Sequence, residues 1–134
     1  MADGTEPIDD DEILYRRIPA LPNYYNPEDL PPVAVLAFHP RKEDETGLSI
    51  YRAKYKNIGE VAQNPYGKKY YVAVMRAGDL RETAIEVVPR PILPDDPGHA
   101  EIPSLNFADR YSQRAKEQKK RLAHELCAVE GPYP

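Results

Sequence analysis

Fifteen prolines spread along 134 residues constrain this chain more than any other feature. Each proline removes a backbone donor and pushes the residue before it out of the helical region. Elements must therefore stop and start often, and the chain reads as short segments joined by stiff connections. Residues 12–18 carry β-formers and end at Pro19, which reads as a first strand. Residues 19–32 hold five prolines and the Tyr24–Tyr25 pair, an extended loop. The apolar run 33–39, closed by proline on both sides, reads as a buried strand.

Further strands are expected at 47–52, 69–75, 84–88 and 98–102. A short helix falls within 55–63, with Ile58, Val61 and Ala62 as its apolar side, followed by a turn at 64–67. Residues 77–83 read as a connection with one helical turn and Asp79 as N-cap. The stretch 106–127 reads as one long helix capped by Ser104 or Asn106, with Tyr111, Ala115, Gln118, Leu122 and Leu126 at helical spacing. The expected class is α+β: a small antiparallel or mixed sheet of short strands with one long C-terminal helix. The expected division is an acidic disordered leader over 1–11, a core over 12–103, a charged amphipathic helix over 104–128 and a frayed tail over 129–134.

The net charge of −4 hides an asymmetry. Residues 1–12 contain six acids and no base, and the rest of the chain is slightly basic, with 18 bases against 16 acids. The leader reads as mobile and solubilising, or else as a mask for a basic surface. A single cysteine, Cys127, excludes an internal disulfide and reads as a small packed hydrophobe. No apolar run is long enough for a membrane helix, and the start lacks the pattern of a signal peptide, so a cytoplasmic protein is expected.

Nucleotide-loop, nucleophile-elbow and zinc-protease motifs are absent, and His39, His99 and His124 show no ligand spacing, so no cofactor or metal is expected. The candidates for chemistry are Arg16, Ser49 and His99, with Arg17, Arg52 and Arg81 as further anion-holding side chains. Arg16 and Arg17 point to opposite faces of their strand, so at most one serves a given cleft. Tyr24 and Tyr25 are candidate contact residues if the loop leaves them exposed. The C-terminal helix offers Arg110, Arg114 and Arg121, but acids interrupt this set, which disfavours nucleic acid.

The segments Arg16-Arg-Ile-Pro19, Ala37-Phe38, Leu48-Ser-Ile50, Asp79-Leu-Arg81 and Asp96-Pro-Gly-His-Ala100 occur in this order. Together they resemble a family of small bacterial proteins with an Arg-Ile-Pro start, an Ala-Phe, a Leu-Ser-Ile/Val strand and a Pro-x-His-Ala near the end. The resemblance covers about residues 13–103, implies one domain, singles out Arg16, Ser49 and His99, and implies no reaction. An early Arg and a later strand Ser are also similar to ADP-ribosyl transferring enzymes, but no Glu-x-Glu pair follows Ser49. The leading expectation is a non-enzymatic accessory protein that binds a partner protein through its helix and Pro/Tyr loop. The alternatives are a small enzyme or nucleotide- or anion-binding domain built on Arg, Ser and His, and an antitoxin- or immunity-like partner using the acidic leader. Whether the chain is an enzyme, and its oligomeric state, stay open.

Overall fold

The computed structural model describes residues 3–63 and 68–133; the turn expected at 64–67 lies outside them. Six strands form one antiparallel sheet in the order β4-β5-β2-β1-β3-β6. They are β1 (Ile13–Pro19), β2 (Leu48–Arg52), β3 (Tyr70–Arg76), β4 (Val88–Pro89), β5 (His99–Ile102) and β6 (Ala128–Tyr133). The helices are α1 (Ile58–Ala62), α2 (Ala77–Glu82) and α3 (Gln113–Arg121). The α+β class therefore holds, and among the described residues no helix is long and apolar enough to cross a membrane.

Pairing of Leu14 with Arg52 and Met75, and of Ile50 with Ala100, sets the register. Alternation then places Leu14, Arg16, Ile18, Leu48, Ile50, Ala73, Met75, Ala100 and Ile102 on one face, where the main core forms with Phe38, Leu80, Leu105 and Leu122. Tyr15, Arg17, Ser49, Tyr51, His99, Glu101 and Val72 lie on the other face. There α1 lays Val61 and Ala62 against Val72, with Tyr15, Tyr51, Tyr70 and Tyr133 around them. The N-cap Asn57 accepts from the Glu60 amide, and Glu60 reaches back in a capping box.

Several expectations are corrected. Residues 33–39 do not form a strand: Val33 makes one bridge to Tyr25, and Val35–Phe38 is a 3₁₀ turn that drops Ala37 and Phe38 into the core. A short unbroken apolar run carries no period to distinguish the two. Of residues 84–88 only Val88 joins the sheet, because the Glu86 carboxylate accepts the Val87 N–H. Ala84, at φ 63°, ends α2. Asp79 is not the N-cap of that helix; Arg76 holds the position and Asp79 accepts from its side chain.

The C-terminal helix is shorter than 106–127. Asn106 accepts the Asp109 amide with its own side chain and locks a turn, so α3 starts only after Ser112, whose Oγ accepts the Ala115 amide at 3.0 Å. Nine residues of α-helix run into a π-helical turn, Leu122–Leu126. Tyr111 lies before the helix and is exposed, outside any apolar stripe. The tail is not frayed: β6 pairs with β3 through Ala128–Val74, Val129–Ala73 and Glu130–Val72, with an irregularity before Tyr133 where Gly131 and Pro132 sit.

The acidic leader is also ordered. Ile8 is buried, and Gly4, at φ +92°, passes so close to Pro97 that a β-carbon would overlap its carbonyl. Three arginines hold the segment. Arg52 binds Glu6 and Glu12, Arg76 pairs with Asp11, and Arg81 pairs with Asp10 and donates to the Ile8 carbonyl. Acids that repel one another in isolation are neutralised once the folded body presents guanidinium groups.

Lys119 reaches the core side of the helix with only 4% exposure. Its Nζ donates to His39 Nδ1 at 2.9 Å and to the Arg110 carbonyl at 3.0 Å. Burial, then the charges of Lys119 and Arg110, hold the His39 imidazole below its usual 6.5. An unfolded His39 takes a proton more readily than the folded one, so its contribution is complete above 6.5 and lost as pH falls below it. The lowered carboxyls of Glu6, Glu12 and Glu86 act in the same direction but only below about 4.5. Denaturant midpoints measured between those limits should fall with pH in the wild type and fall less in His39→Gln; parallel profiles would remove the assignment.

Candidate functional site

The structure brings Ser49 and His99 together and separates both from the Arg16 side chain. Ser49 in β2 and His99 in β5 share the tyrosine-rich face, with Oγ and Nε2 2.5 Å apart. His99 Nδ1 lies 2.9 Å from the Arg90 carbonyl. A carbonyl only accepts, so in the neutral ring Nδ1 carries the proton and Nε2 accepts from the Ser49 hydroxyl. Arg16 points to the opposite face. Its Nε donates to the Ala37 carbonyl at 2.7 Å and Nη1 to the Ser49 carbonyl at 2.8 Å. β1 and β2 pair only at Leu14–Arg52 and Tyr15–Tyr51, and the Arg16 guanidinium satisfies a carbonyl where the strands diverge. Burial pulls its pKa down to about 10, so it stays charged at neutral pH. The expected three-residue site is therefore a Ser–His pair with an arginine behind the sheet.

The remaining arginines divide sharply. Arg52 is fully buried and Arg81 is held by Asp10 and Glu86, so internal carboxylates occupy both as anion sites. Arg110 folds over Phe107, with its guanidinium carbon 3.7 Å from the ring centroid. Arg114 and Arg121 share a shallow hollow with Glu82 and Glu117, and Arg121 also pairs with Glu125. The helix thus presents mixed charge and no basic face. Burial pushes the Cys127 thiol up to about 11, which makes it a poor nucleophile.

Arg17 lies at a basic cleft. One cleft of about 530 Å³ is lined by Pro19, Ala20, Leu21, Tyr24, Arg41, Lys68, Lys69 and Tyr70. A smaller hollow of about 130 Å³ shares Pro19, Tyr24, Arg41 and Tyr70 and adds Arg16, Arg17 and Ala37. The shared residues make the two continuous, and among the described residues no acidic side chain lines either. Tyr70 lies under Arg17, with 4.7 Å from guanidinium carbon to ring centroid. Arg41 donates to the Tyr24 hydroxyl at 3.0 Å. The Tyr24–Tyr25 pair splits: Tyr24 walls the cleft, while Tyr25 turns inward against Tyr71, ring centroids 4.4 Å apart. Leu21 is 52% exposed at the rim.

Sequence reasoning found Arg17 and Tyr24 but missed Arg41, Lys68, Lys69 and Tyr70. The signal was two basic pairs, Arg41-Lys42 and Lys68-Lys69, each beginning within three residues after a proline. Nothing local said that both would meet Pro19. No protein-family model, curated protein or solved structure matches the chain.

Proposed function

We propose that this chain is a binding domain that receives an acidic segment of a partner protein in the basic, tyrosine-walled cleft. The observation that carries this reading is the lining: Arg17, Arg41 and Lys69 beside Tyr24 and Tyr70, with no acid among the described lining residues. Elsewhere on this chain arginines meet carboxylates of the leader, of Glu86 or of Glu125. Arg17, Arg41 and Lys69 line the cleft with no carboxylate among its described lining residues, and such a lining favours an external anion. A peptide fits better than a small ligand because the Pro-rich loop adds Leu21, half exposed, to the cleft lining. Aromatic walls, apolar rim residues and arginine are the usual composition of a contact centre.

The test is selection of a displayed random-peptide library on the full chain, with counter-selection on an Arg41→Glu/Lys69→Glu variant. Acidic peptides carrying Leu or an aromatic residue should be enriched. Their affinity should fall at least about tenfold for each charge removed, since a hydrogen bond to a charged group contributes about 1.5–3 kcal/mol, and weaken with added salt. Enrichment indifferent to the variant, or a thermal shift with mononucleotides in place of peptide binding, would overturn the reading.

A further inference from the structure

We infer that Ser49 and His99 form a nucleophile–base pair able to cleave a small carboxylic ester, at a place distinct from the basic cleft. Three observations converge. The first is the tautomer: the Arg90 carbonyl takes the Nδ1 proton, which leaves the Nε2 lone pair on the Ser49 hydroxyl. In Ser–His catalysis a third group orients the ring in this way and supports the imidazolium that forms. The second is that the ring is held in place. His99 is 7% exposed, and Tyr51 meets it edge-on with centroids 5.9 Å apart. Glu101, the register partner of Ser49, does not compete for the ring; it takes Thr46 at 2.7 Å and Arg90 at 3.3 Å.

The third observation is a neighbouring space. A hollow of about 440 Å³ opens beside His99, lined by Pro89, Arg90, Pro91, Ile92 and Glu101. Three of these side chains are apolar, which suits a short acyl group. His99 borders this hollow directly, and Ser49 lies on the neighbouring strand β2.

The reaction balances within these groups and water. Ser49 Oγ attacks the ester carbonyl carbon while its proton passes to His99 Nε2. The carbon–alkoxy bond then breaks, and the leaving oxygen takes that proton as an alcohol. Water, deprotonated by Nε2, attacks the acyl-Ser49 carbonyl. The Ser49–acyl bond breaks, the proton returns to Oγ, and the acid is released.

The test uses the full chain and a fluorophosphonate probe, which forms an oxygen–phosphorus bond at Ser49 and releases fluoride with the hydroxyl proton as hydrogen fluoride. Intact mass and peptide mapping should show one adduct, at Ser49, absent from Ser49→Ala. His99→Ala should slow labelling by about 10²–10⁴-fold, the usual size of a general-base contribution. Because His99 is buried and its replacement can disturb folding, long-range ¹H–¹⁵N NMR of the unmodified protein gives a second readout. It should find the proton on Nδ1 at neutral pH. Labelling no faster than in heat-denatured protein, an adduct elsewhere, a folded His99→Ala that labels at the wild-type rate, or a proton on Nε2 would each overturn the inference.

Discussion

A chain ending at residue 105 is expected not to fold. The segment it lacks carries Ala115, Gln118, Lys119, Leu122 and Ala123, all buried, and strand β6, which covers the edge of β3. Leu122→Ala alone should cost about 2–5 kcal/mol, because it empties a fully buried site. A domain of this size has about 5–15 kcal/mol in total. Losing the whole layer over Phe38, Leu80 and Leu105 therefore exceeds what the remainder can absorb. Circular dichroism and thermal melting of the truncated chain decide the matter. A cooperative transition near that of the full chain would show that the helix only decorates a complete core, and would return it to the list of partner surfaces.

Replacing Arg52 by Ala should destabilise the domain by about 3–5 kcal/mol, the range for removing one member of a buried ion pair. Arg52 is 0% exposed. Its guanidinium donates to Glu12 at 2.9 and 2.8 Å and to the Gly4, Glu6 and Pro7 carbonyls at 3.2, 3.0 and 3.3 Å. Without it the Glu12 carboxylate, 10% exposed, keeps, among the described residues, only Lys54 as a charged partner, at 3.8 Å. Burial pushes the Glu12 carboxyl up, but the Arg52 hydrogen bonds, the Asp9 amide and the charges of Arg52 and Lys54 outweigh it and hold the group below its usual 4.5. Glu6, hydrogen-bonded by Tyr55, is held at about 2. The stability both contribute is thus present above 4.5 and lost as pH falls through their lowered values. Arg52→Lys should rescue little, because an ammonium cannot reproduce the planar fork. Denaturant titration checks the size, and proteolysis of residues 3–12 checks the cause. An Arg52→Ala protein with an unchanged midpoint would mean that the leader is not held this way.

How legible each element was follows from the range of its contacts. β1, β2, β3 and β5 were readable because alternation and flanking turns are local signals. The 3₁₀ turn at Val35–Phe38 was not, since its residues are apolar in either conformation and only the sheet beneath them selects one. The late start of α3 depends on the Asn106 side chain preferring its own turn, a competition that periodicity does not register. β6 contains Gly131 and Pro132, residues that argue against a strand. It forms because β3 offers an unpaired edge, a reason located 50 or more residues away.

The sequence by itself determined that the chain would be built from short elements, that α and β would mix, and that Arg16 and Arg17 would face opposite ways. These follow from proline chemistry and from the two-residue period of a strand, both local rules. Only the tertiary structure decided which arginines meet which anions. Arg52 and Arg81 went to the leader, Arg16 to two carbonyls, and Arg17 to the cleft of Tyr24, Arg41 and Tyr70. It also decided that Ser49 and His99, fifty residues apart, share a hydrogen bond. Charge and hydrogen bonding act over a few ångströms in space, and the order of residues along a chain does not contain those distances until strands pair in register.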